Sequence, residues 1–217
     1  MKIKKLVFLM SVLTIFVFTN QVGYAKPGNK GSSNKPHLAG FQEKDYEVIQ
    51  ESKQGIGSIV DAGNESNKTE IHLITTKNLL IESNVSAEYI NSKLVGTGLE
   101  GLGDAFKDAE KNYKVNAIFL VGLAIHESNY GSSKIAKEKN NLFGFKAYDR
   151  SPFKSATSFK SKKDCINFVA KYISENYLNP NGKYFRGYGV SALGENYASD
   201  KRWASSINRR IIYFLEK

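Results

Sequence analysis

Hydrophobic and polar positions along the 217-residue chain become regular from Val85 onward. Ser86 stands where an N-cap belongs, and Tyr89, Ile90 and Leu94 follow on one helical face. After glycines at 96, 98, 101 and 103, Ala105, Phe106 and Ala109 predict a second helix. Val115 to His126 (VNAIFLVGLAIH) is apolar nearly all round. Such a helix belongs in the middle of a domain, contacted from every side. It ends at Glu127, where SNYGSS breaks it. Ser161-Lys-Lys-Asp164 has the form of a capped helix start. The helix it opens sets Cys165, Phe168, Val169, Tyr172 and Ile173 on one stripe. Asn179-Pro-Asn-Gly182 predicts a turn. From about Lys201 a last helix carries Trp203, Ile207, Ile211 and Phe214 on one face.

Two segments between these helices read as strands. Asn141 to Tyr148 (NLFGFKAY) and Ala156 to Phe159 would pair as a hairpin around Asp149 to Ser155. Together the elements predict a mainly α domain, of α+β class, over residues 85–217. Its helical core would face a small β-hairpin lobe across a groove.

Upstream of Val85 the pattern changes. Lys2, Lys4 and Lys5 precede an apolar run from Leu6 to Phe18, and Gly23-Tyr24-Ala25 offers small residues to a signal peptidase. Residues 1–25 therefore read as a secretory signal peptide, cleaved after Ala25. An uncleaved membrane anchor is the alternative, but the run is shorter than the roughly 18–20 apolar residues needed to span a bilayer. Residues 26–84 read as a linker, clearest at Lys26 to Pro36 (KPGNKGSSNKP), followed by short strands or coil.

Charge sharpens this picture. The formal net charge of +10 is divided unevenly. Residues 26–110 hold nine basic and thirteen acidic side chains, whereas 111–217 hold nineteen basic and eight acidic. The second half thus carries a field suited to an anionic partner. With an export signal, the anionic polymers of a bacterial wall fit better than nucleic acid. A single cysteine, Cys165, excludes an intramolecular disulfide and fits a bacterial exported protein.

Several motifs are set aside on context. Gly96-Thr-Gly98-Leu-Glu-Gly101 matches a dinucleotide-binding pattern but follows a polar helical stretch rather than a strand, so it reads as a flexible loop. His126-Glu127 begins like a zinc-protease signature, yet Tyr130 occupies the second histidine position. His37, His72 and His126 lie too far apart to suggest a metal site, and no cofactor is expected. Cys165, on an apolar stripe, reads as a buried core residue.

Glu127 remains. A carboxyl closing an apolar helix is desolvated and feels the negative end of the helix dipole. A second carboxylate across the groove would add to both effects. All three raise its pKa, and a carboxylic acid protonated near neutral pH is what glycoside cleavage needs. The alternative is a solvated helix-end residue or an ion pair with lysine.

Three ordered motifs then carry a resemblance. Ala124-Ile-His-Glu127-Ser-Asn-Tyr-Gly131, Asn141-Leu-Phe-Gly144-Phe and Tyr197-Ala-Ser-Asp200 with Trp203 resemble the endo-β-N-acetylglucosaminidases of glycoside hydrolase family 73. The resemblance runs from about Ser83 to the C-terminus. It implies a lysozyme-like core and peptidoglycan glycan strands as substrate, with Glu127 as general acid and Tyr197 beside the cleaved bond. Asn141, Phe143, Phe145 and Tyr130 fall at positions expected to bind substrate. Ser199 replaces the threonine common in the family. Asp149 is the candidate second carboxylate, its alternative role a turn former. Asp200 reads more simply as a helix cap, and Trp203 as core rather than sugar platform. A monomer is expected. Two other readings stay open: a lytic transglycosylase, and a non-catalytic wall-binding protein.

Overall fold

The computed structural model describes residues 76–148 and 150–217. The expected signal peptide, most of the upstream segment and Asp149 lie outside the described residues. Among the described residues the α-helices with both ends visible are, in order, α1 (Ala87–Leu94), α2 (Gly103–Tyr113), α3 (Ala117–Ser128), α4 (Lys134–Lys139), α5 (Pro152–Ser155), α6 (Lys162–Ile173), α7 (Val190–Tyr197) and α8 (Trp203–Glu216). A π-helical turn, Ser174–Leu178, extends α6. Among the described residues none of these helices is long and apolar enough to cross a membrane.

Helix α3 is the axis of the domain. Every residue from Ala117 to Ile125 is buried, as its all-round apolar sequence requires. Asn116 starts it: Oδ1 accepts the Phe119 N–H at 3.0 Å, and Nδ2 donates to the Ile81 carbonyl at 2.8 Å. Helix α8 packs along α3, and α2 joins α3 to α6 and α1. A β-carbon on Gly122 would lie 2.6 Å from Cγ1 of Ile211, so glycine allows α3 and α8 to approach this closely.

A buried carboxylate ties the start of α3 to its surroundings. Glu110 of α2 accepts the backbone N–H of Ser83 at 2.7 Å and of Ala117 at 2.8 Å, and it pairs with the Lys107 ammonium. Its charge also sits at the positive end of the α3 dipole. Leu79, Leu80 and Ile81, upstream of the expected domain start, are buried in the same core. Leu79 bonds through its backbone to Tyr188 and Asn116.

Capped starts appear at Ser86 and Ser161, whose side chains accept from Tyr89 and Asp164 N–H groups. The turn at Asn179 closes with a 2.7 Å bond from Gly182 N–H. The predicted stripe of α6 is turned slightly: Cys165, Ile166, Val169, Ala170 and Ile173 form the buried face. Phe168 is exposed and Tyr172 half-buried because both join an aromatic row at the edge of the core.

The β-hairpin does not form among the described residues. Residues 141–148 are turns and irregular backbone, and Pro152–Ser155 is a helical turn. Two chain segments do meet there, through Thr157 N–H to Phe145 O and Phe159 N–H to Lys139 O. Two features stop them becoming a ladder. Gly144 and Lys146 take positive φ, 62° and 60°, which breaks the extended backbone. The Asn141 side chain also takes bonds a ladder would use, donating to Phe145 and Thr157 carbonyls and accepting from the Phe143 and Phe145 N–H groups.

Candidate active site

Glu127 lies in the last turn of α3, where the buried helix meets the surface. It is half-buried, and burial pushes its carboxyl up to about 7. The indole of Trp203 donates from Nε1 to Oε1 of Glu127 at 3.1 Å, which opposes that rise. The loop after Glu127 is held tightly. Asn129, Tyr130 and Gly131 all take left-handed backbone, and Ser128 Oγ accepts the Gly131 N–H at 2.8 Å. Gly98 lies against Gly131 with no room for a β-carbon, and Lys162 Nζ donates to the Gly98 carbonyl. The glycine stretch expected as a flexible loop is thus packed beneath the loop that follows Glu127.

Tyr197 closes α7 next to Glu127. It is 8% exposed, and burial together with the Glu127 charge holds its hydroxyl well above the usual phenol pKa. The phenol therefore stays protonated and can act as a hydrogen-bond donor, not as a base. Its ring stacks on Trp203 at 4.9 Å and meets Tyr177 at 5.6 Å. From Tyr177 the row continues to Tyr172, then Phe145 and Phe168, at 5.0–6.2 Å between successive centroids. Phe145 and Tyr172 are half-buried. The row runs from beside Glu127 to residues 141–148, where the sequence predicts a strand.

The structure sorts the remaining candidates. Phe145 stands in the row, but Asn141 and Phe143 are 1% and 2% exposed. With its amide fully engaged, Asn141 shapes the segment and offers a ligand no free face. Tyr130 is half-buried, and its hydroxyl is raised by burial while Arg210 opposes the rise. Asp200 accepts the Arg202 N–H at 2.9 Å, so it closes the turn before α8, and this bond lowers its pKa. His126, half-buried, is lowered by burial and by Arg210, against the pull of Asp200. Cys165 is buried, and burial pushes its thiol up to about 12, which leaves it unreactive.

Trp203 is the residue whose part in the site was missed. It is core, as expected, at 1% exposure. It also holds Glu127. The signal was present in principle, since a buried indole N–H nearly always finds an acceptor. Nothing in the local sequence says that the acceptor is 76 residues away.

The chain matches known proteins across this region. The family model described as mannosyl-glycoprotein endo-beta-N-acetylglucosaminidase covers residues 103–215. A Streptococcus pneumoniae protein described as a candidate endo-beta-N-acetylglucosaminidase is 38% identical over 146 residues, 65% of this chain and 22% of that protein. The bifunctional autolysin of Staphylococcus aureus is 30% identical over 154 residues, 59% of this chain and 12% of its own length. The chain thus spans less than a quarter of these curated relatives. Among solved structures, S. aureus Autolysin E superposes with a TM-score of 0.54 at 25% identity, covering 71% of this chain and 78% of that one. Autolysin E with the muropeptide NAM-L-Ala-D-iGlu superposes equally well at 26% identity, with the same coverage. With its family model matched over more than half of its residues, this chain belongs to the glucosaminidase family, glycoside hydrolase family 73.

Proposed function

We propose that this protein is an exported peptidoglycan hydrolase, an endo-β-N-acetylglucosaminidase. It cleaves the β-1,4 bond from N-acetylglucosamine to N-acetylmuramic acid in bacterial wall glycan. The observation that carries the reading is Glu127, a carboxyl held at about 7 by burial at the open end of an otherwise apolar helix. At neutral pH a substantial fraction is protonated and can give its proton to the glycosidic oxygen as the C1–O bond breaks. A water oxygen then bonds to the anomeric carbon of N-acetylglucosamine, and its proton passes to a base. Asp149 is the proposed group that takes it, and Tyr197 lines the cleaved bond. The lysozyme-like core expected from the sequence agrees with this chemistry. The glycan would lie along the half-buried rings of Phe145 and Tyr172. The muropeptide bound by Autolysin E supports a glycan substrate.

Export rests on the signal-like residues 1–25 and on the names of the autolysin relatives. The basic second half would bring the enzyme to anionic wall polymers. Retention on purified wall should then fall as salt rises, because surface charge is screened over about 8–10 Å at physiological ionic strength. Retention that ignores salt would remove the charge argument. The protein is expected to act as a monomer, which sedimentation would test.

The central test is a gel impregnated with purified wall, followed by product analysis. Wild-type protein should clear the gel and leave reducing N-acetylglucosamine ends. Glu127→Gln should lose activity by about 10²–10⁴-fold or more. Anhydro-muramic ends would mark a lytic transglycosylase instead, and an inactive wild type a binding protein.

A further inference from the structure

The buried indole of Trp203 meets one named oxygen of Glu127, and that choice has chemical consequences. Nε1 donates to Oε1 at 3.1 Å. An indole N–H is a donor only, so the oxygen it meets must accept. A protonated carboxyl has one accepting carbonyl oxygen and one hydroxyl oxygen. We propose that Trp203 is a positioning residue: it fixes Oε1 of Glu127 as the acceptor, leaves the transferable proton on Oε2, and is itself held by a slot that Gly194 keeps open. The proposal rests on Glu127 as the acid of the reaction described above.

The slot is visible in the packing. A β-carbon on Gly194 would lie 2.9 Å from Cε3 and 3.3 Å from Cζ3 of Trp203. Such contacts cannot be accommodated without moving the indole. Tyr197 stacks on the same ring at 4.9 Å, from the same helix as Gly194. Two residues of α7 therefore set the position of a ring on α8, and that ring sets the orientation of a carboxyl on α3. Rotation of the Glu127 carboxyl would exchange the two oxygens, and the hydrogen bond to the indole resists it.

The other groups around the acid do not supply this bond. From α7, Tyr197 faces Glu127, with Tyr177 of the π-helical turn and Cys165 and Tyr172 of α6 behind it. Burial raises all four. They stay neutral through the working range. Arg209, Arg210 and Asp200 act on the neighbouring His126. Trp203 donates to the anion as well as to the acid, and it favours the anion. Its loss should raise the acid's pKa as well as loosen its geometry.

Trp203 is the single tryptophan of the chain, which makes an isosteric test possible. Growth of a tryptophan auxotroph on 3-benzothienylalanine replaces the N–H by sulfur at this position alone and keeps the ring shape. The expected result of Trp203→3-benzothienylalanine is a fall in kcat of about tenfold with KM within twofold. The alkaline limb of the pH–rate profile should move up by about one pH unit. A wild-type kcat with a wild-type profile would overturn the proposal, since a packing role is preserved by the isostere.

A second measurement needs no substrate and no substitution in the indole. Trp203 emission should titrate with a midpoint near the Glu127 pKa of about 7. The transition should disappear in Glu127→Gln, which retains His126, and weaken in Gly194→Ala. A flat wild-type titration, or one unchanged in Glu127→Gln, would also overturn it. The fluorescence arm reports the pairing whether or not the protein cleaves glycan. An intact titration with an active Glu127→Gln would therefore indict the assignment of the acid, and not the contact.

Discussion

The ring of Tyr197 lies over the indole of Trp203, centroids 4.9 Å apart and planes inclined by 33°. The tyrosine and the ring that holds Glu127 thus form one aromatic unit at the end of α3. Tyr197→Phe keeps that stacking and removes the hydroxyl. It should leave the melting temperature within a few degrees of wild type while turnover on wall glycan falls by at least about tenfold, the scale of one lost hydrogen bond to a developing charge. Tyr197→Ala removes the ring as well. It should lose about 3 kcal/mol of stability besides most of its activity. Wild-type kinetics in both variants would place Tyr197 outside the reaction.

Glu127 should make activity and stability depend on pH in linked ways. As the proposed general acid Glu127 works protonated, so turnover should decline as pH rises through about 7. The folded pKa lies above the ordinary value of 4.5. Between those two values the folded state binds more protons than the unfolded state, so stability falls as pH rises across that window. Glu127→Gln removes the penalty of a buried charge. At pH 8 it should be more stable than wild type by on the order of 1 kcal/mol, and near pH 4 the advantage should vanish. Denaturant melts at the two pH values check this. A variant less stable than wild type at pH 8 would contradict the assigned shift.

Glu110 is a buried carboxylate whose part is structural. It receives N–H groups from Ser83 and Ala117 and pairs with Lys107. Glu110→Gln keeps an accepting oxygen but leaves the ammonium without its charge partner, which should destabilise by about 2–4 kcal/mol. Activity per folded molecule at low temperature should be nearly unchanged, because Glu127, the proposed acid, sits at the other end of α3. Thermal denaturation and a kinetic assay at 10–15 °C separate the two effects.

Asp149 is tested by an isosteric change. Asparagine is as able as aspartate to form a turn, so Asp149→Asn removes only the charge. If its carboxylate activates the attacking water, turnover should fall by about 10²-fold or more at normal stability. A rate close to wild type would reduce Asp149 to a turn former and leave the second group to be found elsewhere.

The helices were legible because their signals are local. The all-round apolar run fixes α3 as the buried axis, and serine caps at Ser86 and Ser161 mark their helix starts. The face of Trp203, Ile207, Ile211 and Phe214 is the buried face of α8. Glu127 was legible too, since a lone carboxyl at the end of an apolar helix stands out by chemistry alone. The hairpin was misread for a local reason of another kind. NLFGFKAY has strand-forming residues, but the backbone reverses at Gly144 and Lys146, and the Asn141 amide replaces the ladder.

What the sequence by itself determined is the helical order, the central axis and the lone carboxyl at its end. Tertiary structure decided how that carboxyl is held. The contact of Trp203 with Glu127 spans 76 residues, and the slot at Gly194 depends on the distance between α7 and α8. The row from Tyr197 to Phe168 draws rings from several separate segments. Periodicity reports which face of an element is apolar, because that depends on spacing along one chain segment. It carries no information on which faces meet, since close packing between distant segments settles that only when the whole core assembles.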